Sequence, residues 1–142
     1  MTQSQNNADP VVSVVGGSTS DFPLLTKATD LLDNLSISNE LRVVSAHRTP
    51  DWLYEYAESA ENRGIKVIIA GAGGAAHLPG MLAAKTIIPI IGVPVPLEHM
   101  NGMDYLLSIV QMPRGVPVSP VAIAGAQTEA ILVPEPIATT YS

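Results

Sequence analysis

The sequence predicts an α/β protein: a three-layer sandwich built on a doubly wound parallel sheet. Two observations carry this expectation. Short, continuously apolar runs rich in Val and Ile alternate along the chain with segments whose apolar residues recur at helical spacing. The apolar runs show no in–out alternation, so both faces of each strand need covering, as in a parallel sheet between helix layers.

The elements follow in order. Residues 1–10, "MTQSQNNADP", read as a disordered leader. "VVSVV" (11–15) is a first strand, β-branched and ended by glycines. "GGSTSDFP" opens a helix, with Ser20 or Asp21 as its cap and Pro23 in its first turn. Leu24, Leu25, Ala28, Leu31, Leu32 and Leu35 form its apolar face. "LRVVS" (41–45) is a second strand. A helix follows with Thr49 as N-cap, Pro50 at its first position, a stripe of Leu53, Tyr56, Ala57 and Ala60, and Gly64 at its end. "KVIIA" (66–70) is a third strand, followed by "GAGGAAHLPG" and a short helix to about Lys85. "PIIGV" (89–93) is a fourth strand, and "GMDYLLSIVQM" (102–112) a further helix. "VSPVAIA" (118–124) is a fifth strand, where Pro120 implies an edge or a bulge. The domain therefore spans 11–124. Residues 125–142 form an atypical tail with no sustained period. Right-handed crossovers between such strands give a flavodoxin- or Rossmann-like arrangement.

Composition narrows the function classes. The 142 residues suit one domain with a real core. Charged residues make up 14% of the chain, against about 25% in an ordinary soluble domain. So bare a surface points to self-association. The net charge is −6 and the seven Lys and Arg are scattered, which argues against nucleic acid but leaves room for one phosphate on an arginine and backbone N–H groups. With no cysteine, disulfides, thiolate nucleophiles and Cys-ligated zinc are excluded. The polar start lacks a signal core, and no apolar run reaches the roughly 20 residues of a membrane span. A cytoplasmic location without membrane contact is expected.

In a doubly wound sheet the loops after the strands line one edge. That edge would gather "GGSTSD", "SAHRTP", "GAGGAAH" and the loop after "IIGVP". "GGSTSD" offers N–H groups and hydroxyls at a helix start, suited to an anion or to capping alone. It is neither a Walker A loop nor GxGxxG. Asp21 can cap or bind sugar hydroxyls; Ser18 and Ser20 can serve the turn or a ligand. His47 lies between small residues and Arg48, an unsuitable place for core packing. Imidazole exchanges protons near neutrality, and a guanidinium forks onto phosphate or carboxylate. A solvated turn is the alternative. The small residues before His77 allow close approach to a flat ligand, or simply a tight turn. His99 beside Glu98 leaves a His/His/Glu metal site conceivable, but no metal is expected.

Five segments together carry a family resemblance: "GSTSD" (17–21), "VVSAHRTPD" (43–51), "VIIAGAGGAAHLPGM" (67–81), "IGVPV" (91–95) and "LLSIVQMPRGVPV" (106–118). In order and spacing they resemble the PurE family over residues 11–124, and within it class I, the N5-carboxyaminoimidazole ribonucleotide mutases of purine biosynthesis. The resemblance implies a cofactor-free and metal-free isomerisation. A carboxylate moves from the exocyclic amine of an aminoimidazole ribonucleotide to a ring carbon, through carbon dioxide held in the pocket. It implies that His47 moves the ring proton and that His77 supports it. Ser18 and Asp21 would contact the nucleotide, Asp21 at the ribose, and Ser20 and Arg48 the phosphate. Ser45, Ala46, Ala72 and Gly73 would surround the base, and Leu78 the carboxylate side. It also implies a homo-octamer. A nucleotide-binding paralogue and a carbon-dioxide-using carboxylase are the other readings. Three places depart from the family pattern. Gly16 replaces a larger apolar residue, "PLEHMNGMD" (96–104) differs, and Pro134 and Pro136 interrupt the terminal helix.

Overall fold

The structure is a computed structural model that describes residues 3–4, 9–73, 76–96, 100–125 and 131–133. Along the chain run β1 (Gln3–Ser4), β2 (Val12–Gly16), α1 (Phe22–Asn34), β3 (Asn39–Val43), α2 (Pro50–Ala60), β4 (Val67–Ala72), α3 (Leu78–Ala83), β5 (Ile90–Pro94), α4 (Met103–Val110) and β6 (Ser119–Pro120). They form one sheet in the order β1-β3-β2-β4-β5-β6. The five strands from β2 onward are parallel, and β1 runs antiparallel on β3, pairing Gln3 with Leu41 and Ser4 with Glu40.

Each central strand is apolar on both sides because each side meets a different layer. On β4, Val67 and Ile69 pack under α1 with Leu25, Ala28 and Leu32. Ile68 and Ala70 face the other way, toward Leu53, Tyr56 and Ala57 of α2 and Ile109 of α4. This is the expected doubly wound sandwich. Val133, within the stretch read as a tail, is fully buried in the α1-side core.

Several boundaries differ from the sequence reading, each for a local reason. β3 starts at Asn39, because Asn39 and Glu40 are buried polar residues with partners and not loop. Asp21 occupies the N-cap position of α1, as one of the two expected caps, but makes no side-chain cap bond there, and the turn before it is capped by Ser18. The Ser18 side chain accepts from the Ser20 N–H, and the Asp21 carboxylate accepts from the Ser18 N–H, a reciprocal capping box on the 3₁₀ turn Thr19–Asp21. Thr49 occupies the N-cap position of α2 without capping it; its hydroxyl donates to the Ser45 carbonyl. Gly64 closes the turn after α2 at φ 88°, as expected of a C-terminal glycine. The fifth parallel strand is only Ser119–Pro120, an edge, and the chain turns at Ala124, φ 60°. His99, Glu98, Pro134 and Pro136 lie outside the described residues.

One polar cluster is buried between β2, β3 and α2. Glu40 Oε1 accepts from Ser13, from the Tyr56 hydroxyl at 3.0 Å and from Arg63 at 3.0 Å. Its Oε2 accepts from Arg42 at 3.1 Å and Arg63 at 3.3 Å. Ser13 and Tyr56 also contact each other directly. Burial pushes the Glu40 carboxyl up, but the bonds and charge of Arg63, with Arg42 and Ser13, outweigh it and leave it lowered. Burial and then the charge of Glu40 push the Tyr56 hydroxyl up, so it stays a donor.

Candidate active site

The chain leaves β2 toward β3 on one side of it and returns to β4 on the other. Between these diverging crossovers a crevice opens at the strands' C-terminal ends, the usual ligand position in this architecture. The loops that leave β2, β3 and β4 enter it. They enclose a cavity of about 220 Å³.

The β2 loop supplies Ser18, Ser20 and Asp21, held by the capping box. The Ser20 hydroxyl lies 3.1 Å from that of Ser18, so the two form one polar ledge. Asp21 is nearly buried. Burial raises its carboxyl pKa; the N–H groups of Ser18 and Gly17 and the charge of Arg48 pull in the other direction without cancelling the rise. The β3 loop supplies Ser45, Ala46, His47 and Arg48. Ser45 organises it: its hydroxyl accepts from the Arg48 N–H at 3.2 Å, and its carbonyl accepts from Thr49. That turn leaves His47 and Arg48 exposed at the rim. The β4 loop supplies Ala72 and Gly73, and Leu78 at the start of α3 forms a buried wall.

His77 stands immediately before α3, and its ring meets that of His47. His47 Nε2 and His77 Nδ1 are 2.8 Å apart, with the rings edge to face at 88°. In the neutral pair one ring donates and the other accepts. The pair can take one extra proton and keep the bond: a doubly protonated His47 still donates from Nε2 to a neutral His77. A second extra proton would set two N–H groups against each other. The geometry therefore suits a carrier of one proton.

The eleven residues that the resemblance assigns to the site are thus brought together at one crevice, ten on the cavity wall and His77 against His47. Gly17 also lines it and was missed. The signal was present in the Gly16-Gly17 pair, since a second glycine after a strand lets backbone form the floor of a site. A depression of about 400 Å³ elsewhere, lined by Thr86, Ile88 and Pro117 among others, carries no titratable side chain. Among the described residues no group of three or more His, Asp or Glu could hold a metal ion, and no helix is long and apolar enough to cross a membrane.

Fold and site together define a doubly wound α/β protein whose crevice sets a pair of hydroxyls beside two hydrogen-bonded imidazoles. The family model described as AIR carboxylase matches residues 11–142, and the chain belongs to that family. It is 62% identical over 125 residues to the N5-carboxyaminoimidazole ribonucleotide mutase of Bacillus subtilis, covering 87% of this chain and 77% of that one. It is 54% identical over 132 residues to the protein of the same name from Pyrococcus abyssi, covering 93% and 76%. Among solved structures, Treponema denticola PurE superposes with a TM-score of 0.82 at 26% identity, covering 94% of this chain and 82% of that one. The resemblance read from the five sequence segments is borne out.

Proposed function

We propose that this chain is a mutase that converts N5-carboxyaminoimidazole ribonucleotide to 4-carboxy-5-aminoimidazole ribonucleotide in purine biosynthesis. The observation that carries the reading is the His47–His77 pair at the mouth of the Ser18/Asp21/Arg48 cavity. Relatives at 51–62% identity bear the mutase name.

The residues divide the work. Arg48 and Ser20 hold the phosphate, Asp21 the ribose hydroxyls with Ser18 beside it, and Ser45, Ala46, Ala72 and Gly73 the base. In the first half the N–CO₂ bond breaks, carbon dioxide is released and the nitrogen gains a proton. In the second half the ring carbon bonds to carbon dioxide and loses its proton. The two halves therefore balance: His47 gives one proton to the nitrogen, takes one from the ring carbon and ends in its starting state, while His77 keeps its ring oriented. Leu78 and the small residues keep carbon dioxide close to the ring, so recapture outruns escape. Nothing in this balance calls for a cofactor. Conversion of the substrate without added bicarbonate tests the reading.

Arg48→Ala raises KM for the ribonucleotide about tenfold, the weight of one exposed charge-assisted contact, with kcat little changed. A dephosphorylated substrate is insensitive to the change. Steady-state kinetics on both substrates checks this, and equal losses on both contradict a phosphate role.

The chain acts in the cytoplasm as a homo-octamer. Self-association is supported by the charge-poor composition and by the cavity, whose 220 Å³ falls below the roughly 300–1,000 Å³ of ordinary ligand pockets. A neighbouring subunit would supply the missing wall over His47 and Arg48. Light scattering should give eight times the 14.9 kDa chain mass. A monomer at micromolar concentration contradicts it.

A further inference from the structure

Two glycines face each other where the central strands end. Gly16 of β2 and Gly71 of β4 are register partners. A Cβ at either would strike the same side chain, Leu25 of α1. Leu25 Cδ1 lies 2.9 Å from the position a Gly16 Cβ would take, and Cδ2 lies 2.7 Å from that of Gly71. Real Cβ contacts essentially never fall below 3.0 Å. Leu25 is fully buried, and its Cδ1 serves both positions, lying also 3.2 Å from that of a Gly71 Cβ, as does its Cγ. With no open space around it, the buried side chain has little room to turn aside. A side chain on either glycine therefore presses on Leu25 and through it on the start of α1.

That helix start carries the site. Asp21 precedes Leu25 by four residues, about one helical turn. Its Cβ lies 3.1 Å from the position of a Gly16 Cβ, and its carboxylate holds the Ser18 N–H at 3.2 Å. We propose that the Gly16–Gly71 notch is a positioning element: by seating Leu25, it sets the depth of the first turn of α1 and so places Asp21 and Ser18 in the cavity. This rests on the reading above that Asp21 and Ser18 hold the ribonucleotide. Gly71 isolates the effect, because the three nearest atoms to its Cβ position all belong to Leu25.

The test compares wild type with Gly71→Ala, Leu25→Val and the double variant. Gly71→Ala raises KM for N5-carboxyaminoimidazole ribonucleotide about tenfold and leaves kcat within about twofold, the signature of lost uniform binding. Leu25→Val removes the outer methyls that fill the notch; alone it lowers Tm and raises KM about threefold, because the helix start loses its seat without being pushed out. In the double variant KM returns to within about threefold of wild type, so affinity follows the fit of the notch and not stability. Hydrogen exchange at the Ser18 amide reports the same displacement without substrate: it speeds up in Gly71→Ala and slows again in the double variant. A Gly71→Ala protein with wild-type KM and wild-type Ser18 exchange overturns the proposal, as does a double variant with no recovery. If wild type fails to turn the substrate over, the mutase reading falls, and the exchange measurement still decides the notch.

Discussion

His47→Asn lowers kcat by about 10³ or more, while affinity for the ribonucleotide stays within about threefold of wild type. Asparagine keeps the polarity and approximate size of imidazole and can still hydrogen-bond His77. It cannot take up a proton and give it back. The phosphate and ribose contacts assigned to the site come from Ser20, Arg48, Ser18 and Asp21, which this change does not touch, so binding survives. The pair geometry adds a second expectation. His77→Asn costs less than His47→Asn, because it removes the orienting partner at 2.8 Å but leaves the carrier. Rapid-quench turnover and calorimetric binding on the same samples separate the two effects. A His47→Asn protein with wild-type turnover contradicts the assigned mechanism.

Glu40→Gln destabilises the fold by about 3 kcal/mol at neutral pH, the low end for breaking a buried ion pair. The low end applies because the Arg63 and Arg42 side chains keep 32% and 28% of their surface exposed while that of Glu40 keeps 4%. The carboxylate of Glu40 is the common acceptor for Ser13, Tyr56, Arg63 and Arg42, and an amide can accept at only one end. The pH dependence has a definite sign. The folded pKa of Glu40 lies below its ordinary value of 4.5. Its contribution is therefore fully present above 4.5 and is lost as pH falls through the lower, folded value. The stability gap between wild type and variant narrows under acid. Urea melts from pH 7 to pH 3 check this, and a gap that stays constant contradicts it.

The cluster also shows where sequence reading reached its limit. Tyr56 was placed on the apolar stripe of α2, and it is buried there. Nothing local marked its hydroxyl as a partner of Glu40, sixteen residues upstream, or of Ser13, which lies within an otherwise apolar strand. Those contacts come from strand register, in which Ser13 stands opposite Glu40. For the same reason β3 was expected to start at Leu41: an Asn-Glu pair looks like loop until its partners are known. At the other end, "VSPVAIA" has strand composition, but the ladder goes no further than the Val121 N–H on the Gly92 carbonyl, because Pro94, at the end of β5, has no N–H to continue it. Ala124 then turns back with its N–H on the Pro94 carbonyl.

The site was more legible than these edges because parallel topology does the collecting. Once strands and helices alternate, every loop after a strand reaches the same rim, and the chemistry-bearing residues of this chain sit in those loops. "SAHRTP" and "GAGGAAH" needed no long-range contact to be noticed. Their meeting at 2.8 Å between His47 and His77 was not readable from spacing, since thirty residues and a helix separate them. Gly16 was noticed only as a departure, and its place opposite Gly71 emerged with the register.

The central claim is that this protein moves a carboxylate within one ribonucleotide. The direct measurement is to incubate it with N5-carboxyaminoimidazole ribonucleotide labelled with ¹³C in the carboxylate, without added bicarbonate, and follow the label by NMR. The account predicts that the label appears on the ring carbon and that the product forms in step with loss of substrate. Binding without turnover, or ring carboxylation that needs the uncarboxylated nucleotide and high bicarbonate, would contradict it.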